Sequence, residues 1–325
     1  LLIAEFKRLI KQILKFFLPV KLWTRLRQIY VNHKKRQIFS LIPRLKPLEI
    51  KNSPQYIVSL TSCGNRLTDT APFAIITLLN QRVKPDRIIL WVANEDKTNI
   101  PQGMEKLTEK GLEIRFCEDI KAHKKLIPAL ENFPEDYIVI ADDNVYYTKT
   151  WFELLMAEHK KNPKKIICHR AHGIRVDENH NLLPYTQWGF DIEPSMVYEH
   201  TFVSQGGYHT SESVFPAGAG GILYPPKCFC KDVANKELFM NLAPHTTDIW
   251  FWAMTVINKE YFGEEPPYIV VENKSSWNLQ NIEPEQIPSE NDRQIKAVIE
   301  QYPQIKEVLK KIGKIIVKTN MQVRR

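Results

Sequence analysis

The sequence predicts an α/β fold, a mostly parallel sheet flanked by helices, with helical appendages at both ends. Three observations carry this expectation. From residue 55 to about 170, short β-branched and aromatic runs alternate with helical segments, the pattern of strands crossing over through helices. One run, Tyr137–Tyr147, is apolar without alternation until it meets Asp142 and Asp143, as a strand covered on both faces would be. The composition, 43% hydrophobic and 25% charged, is that of an ordinary folded protein, and 325 residues can bury a large core.

The net charge of +8 sits at one end. Residues 1–50 hold 12 Lys/Arg against Glu5 and Glu49, so the other 275 residues carry a net charge of −2. A nucleic-acid surface across the whole protein is therefore not expected. The five cysteines have no framework or zinc spacing, which suggests reduced thiols and a cytosolic compartment.

In chain order, residues 1–31 repeat apolar positions at helical spacing, from Leu2 and Phe6 to Trp23 and Leu26, with Lys and Arg between them. Pro19 is expected to kink or divide this helix. Charge interrupts it too often to span a bilayer. The profile suits a helix lying on an anionic membrane surface through residues 1–30, or one packed on a domain or partner. Residues 32–54, with Pro43, Pro47 and Pro54, read as a linker. Strands are expected at 56–60, 88–92, 112–116, 137–141 and 165–169, with helices at 71–82, 101–110, 121–132 and 151–161. No dinucleotide-type glycine fingerprint follows the first strand and no P-loop appears, which removes two common nucleotide-binding folds. Residues 170–216 lose the alternation and are rich in aromatics, including Tyr185, Trp188, Phe202 and Tyr208, as a binding loop or lid would be. Gly218, Gly220 and Gly221 permit close approach of backbone to a ligand, or tight turns. Thr246 or Thr247 can cap a helix whose first turn carries Asp248. Asn291-Asp292-Arg293-Gln294 is expected to open a C-terminal helix, followed by a further helical pattern over 302–318. The organisation expected is a basic helical segment and linker over 1–50, a central domain over 51–285 and C-terminal helices over 286–325.

Ionised aspartates are costly inside a core, so Asp142 and Asp143 should mark the point where the strand leaves the sheet. With Asn144 they form an oxygen-rich half-site suited to Mg²⁺ or Mn²⁺ and completed by phosphate oxygens; a plain acidic turn is the other reading. His169, Arg170 and His172 follow the next strand and could reach the same place.

Taken in order, Val58–Ser62 with Arg66, Leu78–Trp91, Lys124–Leu130, Asp142–Asn144, Gly218–Pro226 and Asp248–Met254 resemble a glycosyltransferase of the GT-A type, similar to bacterial family 2 enzymes of surface polysaccharide synthesis. The resemblance covers residues 55 to about 300. It implies a GT-A, Rossmann-like domain that moves a sugar from a nucleotide-sugar donor to a glycan or lipid-linked acceptor, with inversion. It places Thr61, Ser62, Arg66, Asn94 and Glu95 near the donor's base and Lys125 near its diphosphate. A divalent ion, Mn²⁺ or Mg²⁺, would bridge Asp142, Asp143 and Asn144 to that diphosphate, although many relatives have aspartate in place of Asn144. Asp248 matches the general base, with Thr247 where an acid usually stands. Trp188, Trp250, Gly218, Gly220 and Gly221 would line the acceptor. The implied location is cytoplasmic, peripheral on the inner face of the cell membrane. Asn144 and Thr247 favour an alternative, a carbohydrate-binding or assembly subunit that has lost catalysis. A nucleotidyltransferase, which also uses paired acids and a divalent ion, is a second alternative.

Overall fold

All five runs expected as strands enter one sheet in the computed structural model, which describes residues 20–49, 55–192, 197–198, 209–271, 276–278 and 288–313. They are β1 (Tyr56–Thr61), β2 (Arg87–Ala93), β3 (Leu112–Cys117), β4 (Tyr137–Ile140) and β5 (Ile166–Cys168). Two strands of three residues, β6 (Ile222–Tyr224) and β7 (Tyr268–Val270), complete it. The order is β7-β5-β6-β4-β1-β2-β3. Strand β6 runs antiparallel to β4 and β5, and every other pair is parallel. This is the α/β arrangement expected, a mostly parallel sheet flanked by helices.

Both faces are covered, because alternate residues feed two cores. Ile57, Ile89, Ile138 and Ile140 join one core; Val58, Leu60, Ile88, Leu90 and Val139 join the other. The first core takes residues of α3 (Ile127–Asn132), α5 (Lys236–Leu242), α6 (Thr247–Val256) and α7 (Pro288–Gln301). The second takes α2 (Ala71–Leu79) and α4 (Trp151–Lys161), with Ile38 of α1 (Val20–Phe39). Trp151, Trp250, Trp252 and Phe251 are fully buried, each contributing on the order of 1.5–3 kcal/mol by leaving water.

Several boundaries differ from expectation for local reasons. The segment 121–132 divides into a 3-10 turn, Lys121–Lys125, and α3. Pro128 lies in the first turn of α3, where its missing N–H costs nothing. Only Glu105–Thr108 of 101–110 is α-helical. The supposed linker is docked: α1 continues to Phe39, and Leu45 and Leu48 are buried. Leu48 N–H donates to Lys110 O at 2.9 Å, and a Cβ on Gly111 (φ +100°) would lie 2.5 Å from that of Leu48. Helix α7 starts at Pro288, three residues before Asn291, and residues 305–313 are helical again. The irregular stretch contains a two-stranded antiparallel ladder, Ala171–Gly173 with Val214–Pro216. Residues 1–19 with Pro19, Phe202, Tyr208 and the end of the 302–318 pattern lie outside the described residues. Among the described residues, no helix is long and apolar enough to cross a membrane.

Candidate active site

The chain leaves the sheet at the carboxyl end of β4, where ligands bind in open α/β sheets. Ala141 N–H still donates to Ser59 O at 3.0 Å, and the next residue is Asp142. Its N–H donates to the buried Tyr147 hydroxyl at 2.7 Å, which closes the acidic turn. Asp142 Oδ1 lies 2.6 Å from Lys125 Nζ. Asp143 is 2% exposed; its Oδ1 is 3.3 Å from Arg66 Nη1, and its Oδ2 has no hydrogen-bond partner. Burial raises the Asp143 carboxyl above its ordinary pKa, and Arg66 opposes this.

Lys125 is buried, with its backbone held from the sheet: Ser59 Oγ donates to Lys125 O at 2.7 Å and accepts from Trp91 Nε1 at 3.0 Å. Burial disfavours the ammonium, but Asp142, Asp248 and Asp143 together outweigh it and raise the lysine pKa. Asp248 sits in the first turn of α6, where the helix dipole favours a carboxylate. Its Oδ2 accepts from Gly218 N–H at 3.0 Å, while Oδ1 is buried without a partner. Burial raises this carboxyl, Lys125 lowers it and Asp142 raises it again, so the pKa lies above the ordinary value. Gly218 makes the convergence possible. A Cβ there would lie 2.8 Å from Asp248 Oδ1 and 3.3 Å from Lys125 Nζ.

The structure therefore brings together Arg66, Lys125, Asp142, Asp143, Gly218 and Asp248. Ser62 is buried beside Asp143, and its hydroxyl works with Arg66 to lower that carboxyl against the effect of burial. These donors do not fit a ready-made metal centre. Asp142 Oδ1 and Asp143 Oδ1 already hold Lys125 and Arg66, and Asn144 adds no charge. Among the described residues, no three His, Cys, Asp or Glu side chains converge to hold an ion. What converges is two cations, suited to phosphate oxygens, and a carboxylate with one bare oxygen, suited to accepting a proton.

Other expected residues are placed differently. Thr61 spends its hydroxyl on Trp91 O at 2.8 Å, at the end of β1. Asn94 and Glu95 are exposed on the turn after β2. Trp188 and Trp250 are core residues rather than an acceptor wall. They are 4% and 0% exposed, and their indole N–H groups donate to Leu183 O and Val233 O, each at 2.9 Å. Gly220 and Gly221 serve packing. A Cβ on Gly220 would meet Arg170 Cβ at 2.4 Å, and one on Gly221 (φ +98°) would meet the Trp151 ring at 2.3 Å. His169 donates from Nε2 to Trp151 O at 2.9 Å, and His172 Nδ1 accepts from Asp191 N–H at 3.2 Å. Arg170 pairs with Asp191.

Sequence reasoning missed the roles of the Tyr147 hydroxyl and of Asp191, the partner of Arg170. Tyr147 ends the run Tyr137–Tyr147, but nothing in its spacing indicates that its hydroxyl returns to Asp142. Burial raises the Tyr185 phenol, and the charge of Asp248 raises it further.

No protein-family model and no curated protein matches the chain. Among solved structures, it is similar to the mannosyltransferase PcManGT from Pyrobaculum calidifontis in complex with GDP-Man and Mn²⁺. The identity is 9%, the TM-score 0.44, and the likeness covers 88% of this chain and 78% of that one. It is also similar to S. aureus TarS 1-349 in complex with UDP, at 9% identity and a TM-score of 0.41. There the likeness covers 68% of this chain and 59% of that one. Likeness at this level assigns no activity; the site has to supply it.

Proposed function

We propose that the chain is a glycosyltransferase that moves a sugar from a nucleotide-sugar donor to a hydroxyl of a glycan or lipid-linked acceptor. The observation that carries this reading is the meeting of Asp248, Gly218, Lys125 and Asp142 at the exit of β4. Asp248 Oδ1 takes the acceptor's proton as its oxygen bonds to the sugar's anomeric carbon. The bond from that carbon to the diphosphate breaks, and the nucleoside diphosphate leaves with the electron pair. Lys125 and Arg66 balance the charge that grows on it. Attack opposite the leaving group makes the transfer inverting. No step is assigned to a divalent ion, because the acids that would hold one are paired with cations.

A peripheral position on the inner face of a cell membrane, through residues 1–30, belongs to the same proposal, as does a role in bacterial surface polysaccharide synthesis. Leu22, Leu26, Ile29 and Tyr30 support the first: they follow helical spacing and are 44–58% exposed. The second rests on the resemblance of the motifs.

Screening UDP-, GDP-, CMP- and dTDP-sugars for thermal stabilisation and nucleotide release tests the reading, since a ligand of the native state raises apparent stability. Stabilisation with slow release of free nucleotide is expected. Pyrophosphate as product would select a nucleotidyltransferase. Binding without any turnover would select the impaired scaffold that Asn144 and Thr247 favour.

A further inference from the structure

The loop that delivers Asp248 is not capped by its own residues. Thr246 stands at the N-cap of α6, yet its side chain makes no cap bond. Its hydroxyl donates to Asn291 Oδ1 at 2.9 Å instead. The backbone just before the helix is held from α7, more than forty residues away in sequence. Gln294, 0% exposed, accepts from His245 N–H at 3.0 Å and from Thr246 N–H at 3.2 Å through Oε1. Its Nε2 donates to Thr246 Oγ1 at 3.2 Å and to Glu290 Oε1 at 3.0 Å. The two N–H groups on one side and the hydroxyl and carboxylate on the other fix which end of the amide is which. Another residue of the same helix holds the irregular stretch: Asp292 Oδ1 accepts from Tyr185 N–H at 2.7 Å.

We infer that Gln294 is a positioning residue for the transfer. It locks the backbone two residues before Asp248 and thereby sets the carboxylate against Gly218 and Lys125. The inference rests on the base role proposed for Asp248. The physical need is clear: a general base acts only within hydrogen-bond reach of its proton, and a displacement of about 1 Å can cost on the order of 100-fold. The carboxylate has a single anchoring hydrogen bond of its own, from Gly218. Its place therefore depends on where the chain at 245–246 is held. Helix α7 supplies that hold through the fully buried Gln294, whose hydrogen bonds to the loop are partly shielded from water.

Two variants of the full chain test this. Gln294→Met keeps the length and removes every hydrogen bond; Gln294→Glu, made together with Glu290→Gln so that the new carboxylate meets an amide, keeps the two acceptor contacts. The first readout needs no substrate: a carbon-13 titration of the Asp248 carboxyl. Its pKa is expected to fall toward the ordinary carboxyl value in Gln294→Met, as the carboxyl loosens toward water, and to stay raised in Gln294→Glu. The second readout is nucleotide release from the UDP- or GDP-sugar that stabilises the parent best. There kcat is expected to drop about tenfold in Gln294→Met, with donor KM within twofold, and to recover at least half its value in Gln294→Glu. Asn291→Ala, which frees only the Thr246 hydroxyl, is expected to show a smaller change in the same direction if Gln294→Met folds poorly. Parent titration and parent kcat in Gln294→Met, or in Asn291→Ala if Gln294→Met does not fold, overturn the inference. Equal losses in the Met and Glu variants also overturn it. Asp248→Asn separates the two levels. If it leaves kcat intact, the base role and the inference both fall. If it abolishes release while Gln294→Met does not reduce it, only the positioning role falls.

Discussion

Asp248 combines two properties that pull against each other: one oxygen is bound to Gly218 and the other is buried without a partner. An unsatisfied buried carboxylate oxygen is costly and persists where a ligand supplies its partner. Asp248→Asn keeps the shape and removes the basicity. It is expected to lower transfer by about 10²–10⁴-fold while donor affinity stays within a few-fold. A variant retaining a third of the parent rate, with chemistry rate-limiting, would remove the residue from that role. Gly218 gives a steric test of the same site. Gly218→Ala puts a methyl 2.8 Å from Asp248 Oδ1 and 3.3 Å from Lys125 Nζ, both ends of side chains that can move aside. The protein should therefore fold with near-parent melting temperature and lose most of its transfer. Parent activity would show that the two charges need not meet. At the acidic turn the structure changes the metal expectation. With Asp142 and Asp143 each bound to a cation, Mn²⁺ titrated without nucleotide should release little heat. Asn144→Asp should tighten binding with nucleoside diphosphate present, by roughly 1 kcal/mol once screening and repulsion between carboxylates are set against the added charge. Tight Mn²⁺ binding by the parent alone would contradict the pairing.

At the scale of elements, the strands that could be read from the sequence are those that stand in the strand–helix alternation. Strands β1, β2 and β4 are near-continuous apolar runs because helices cover both faces. Edge strand β3 alternates Glu113 and Arg115 with apolar residues, and β5, three residues long, is legible because it follows the expected helix 151–161. Strands β6 and β7 are three residues each, too short for any period, and β6 is hidden behind the glycine cluster. The candidate site divides the same way. Asp142, Asp143, Asp248 and Lys125 announce themselves by residue type beside an apolar run. Tyr147 and Gln294 act through contacts that only the folded chain creates, and the resemblance puts Trp188 and Trp250 at the site because an aromatic residue looks the same in a sequence whether it binds sugar or fills a core. Helix α1 shows a further limit. Its apolar residues face two ways: Val31 and Ile38 are buried at 1–2% exposure, while Leu22, Leu26, Ile29 and Tyr30 are open. Periodicity reports that both sets exist, not which is covered. Replacing Leu22, Leu26 and Ile29 with Gln spares the docked residues, so the protein should stay folded and sediment less with anionic vesicles. Undiminished sedimentation at low salt would end the surface-anchor idea for this stretch.

Across the whole molecule, the first core contains titratable groups that the proposed chemistry does not use. His123 stacks on Phe239 at 4.3 Å between ring centres, and its Nε2–H donates to Ala243 O at 3.0 Å. Burial pushes its pKa down to about 4, against the carbonyl's pull, and the charges of Lys125 and Lys121 add to the fall. His172 is lowered to about 4 as well, first by burial and then by Arg170. In the unfolded chain both return to about 6.5. Between those values the unfolded state binds more protons than the folded one, so stability is full above about pH 6.5 and is lost as pH falls toward 4. The raised carboxyls of Asp143 and Asp248 have the opposite sign: their folded forms hold protons longer, so their contribution is lost as pH rises through the raised values. The two effects overlap in mildly acid solution, and a single variant separates them. His123→Gln retains a donor for Ala243 O and cannot take up a proton. Its unfolding free energy from urea melts should fall less than the parent's between pH 7 and pH 5, by up to about 1.4 kcal/mol per pH unit in the steepest region. An equal fall in both proteins would mean that His123 does not contribute to the acid sensitivity of the core.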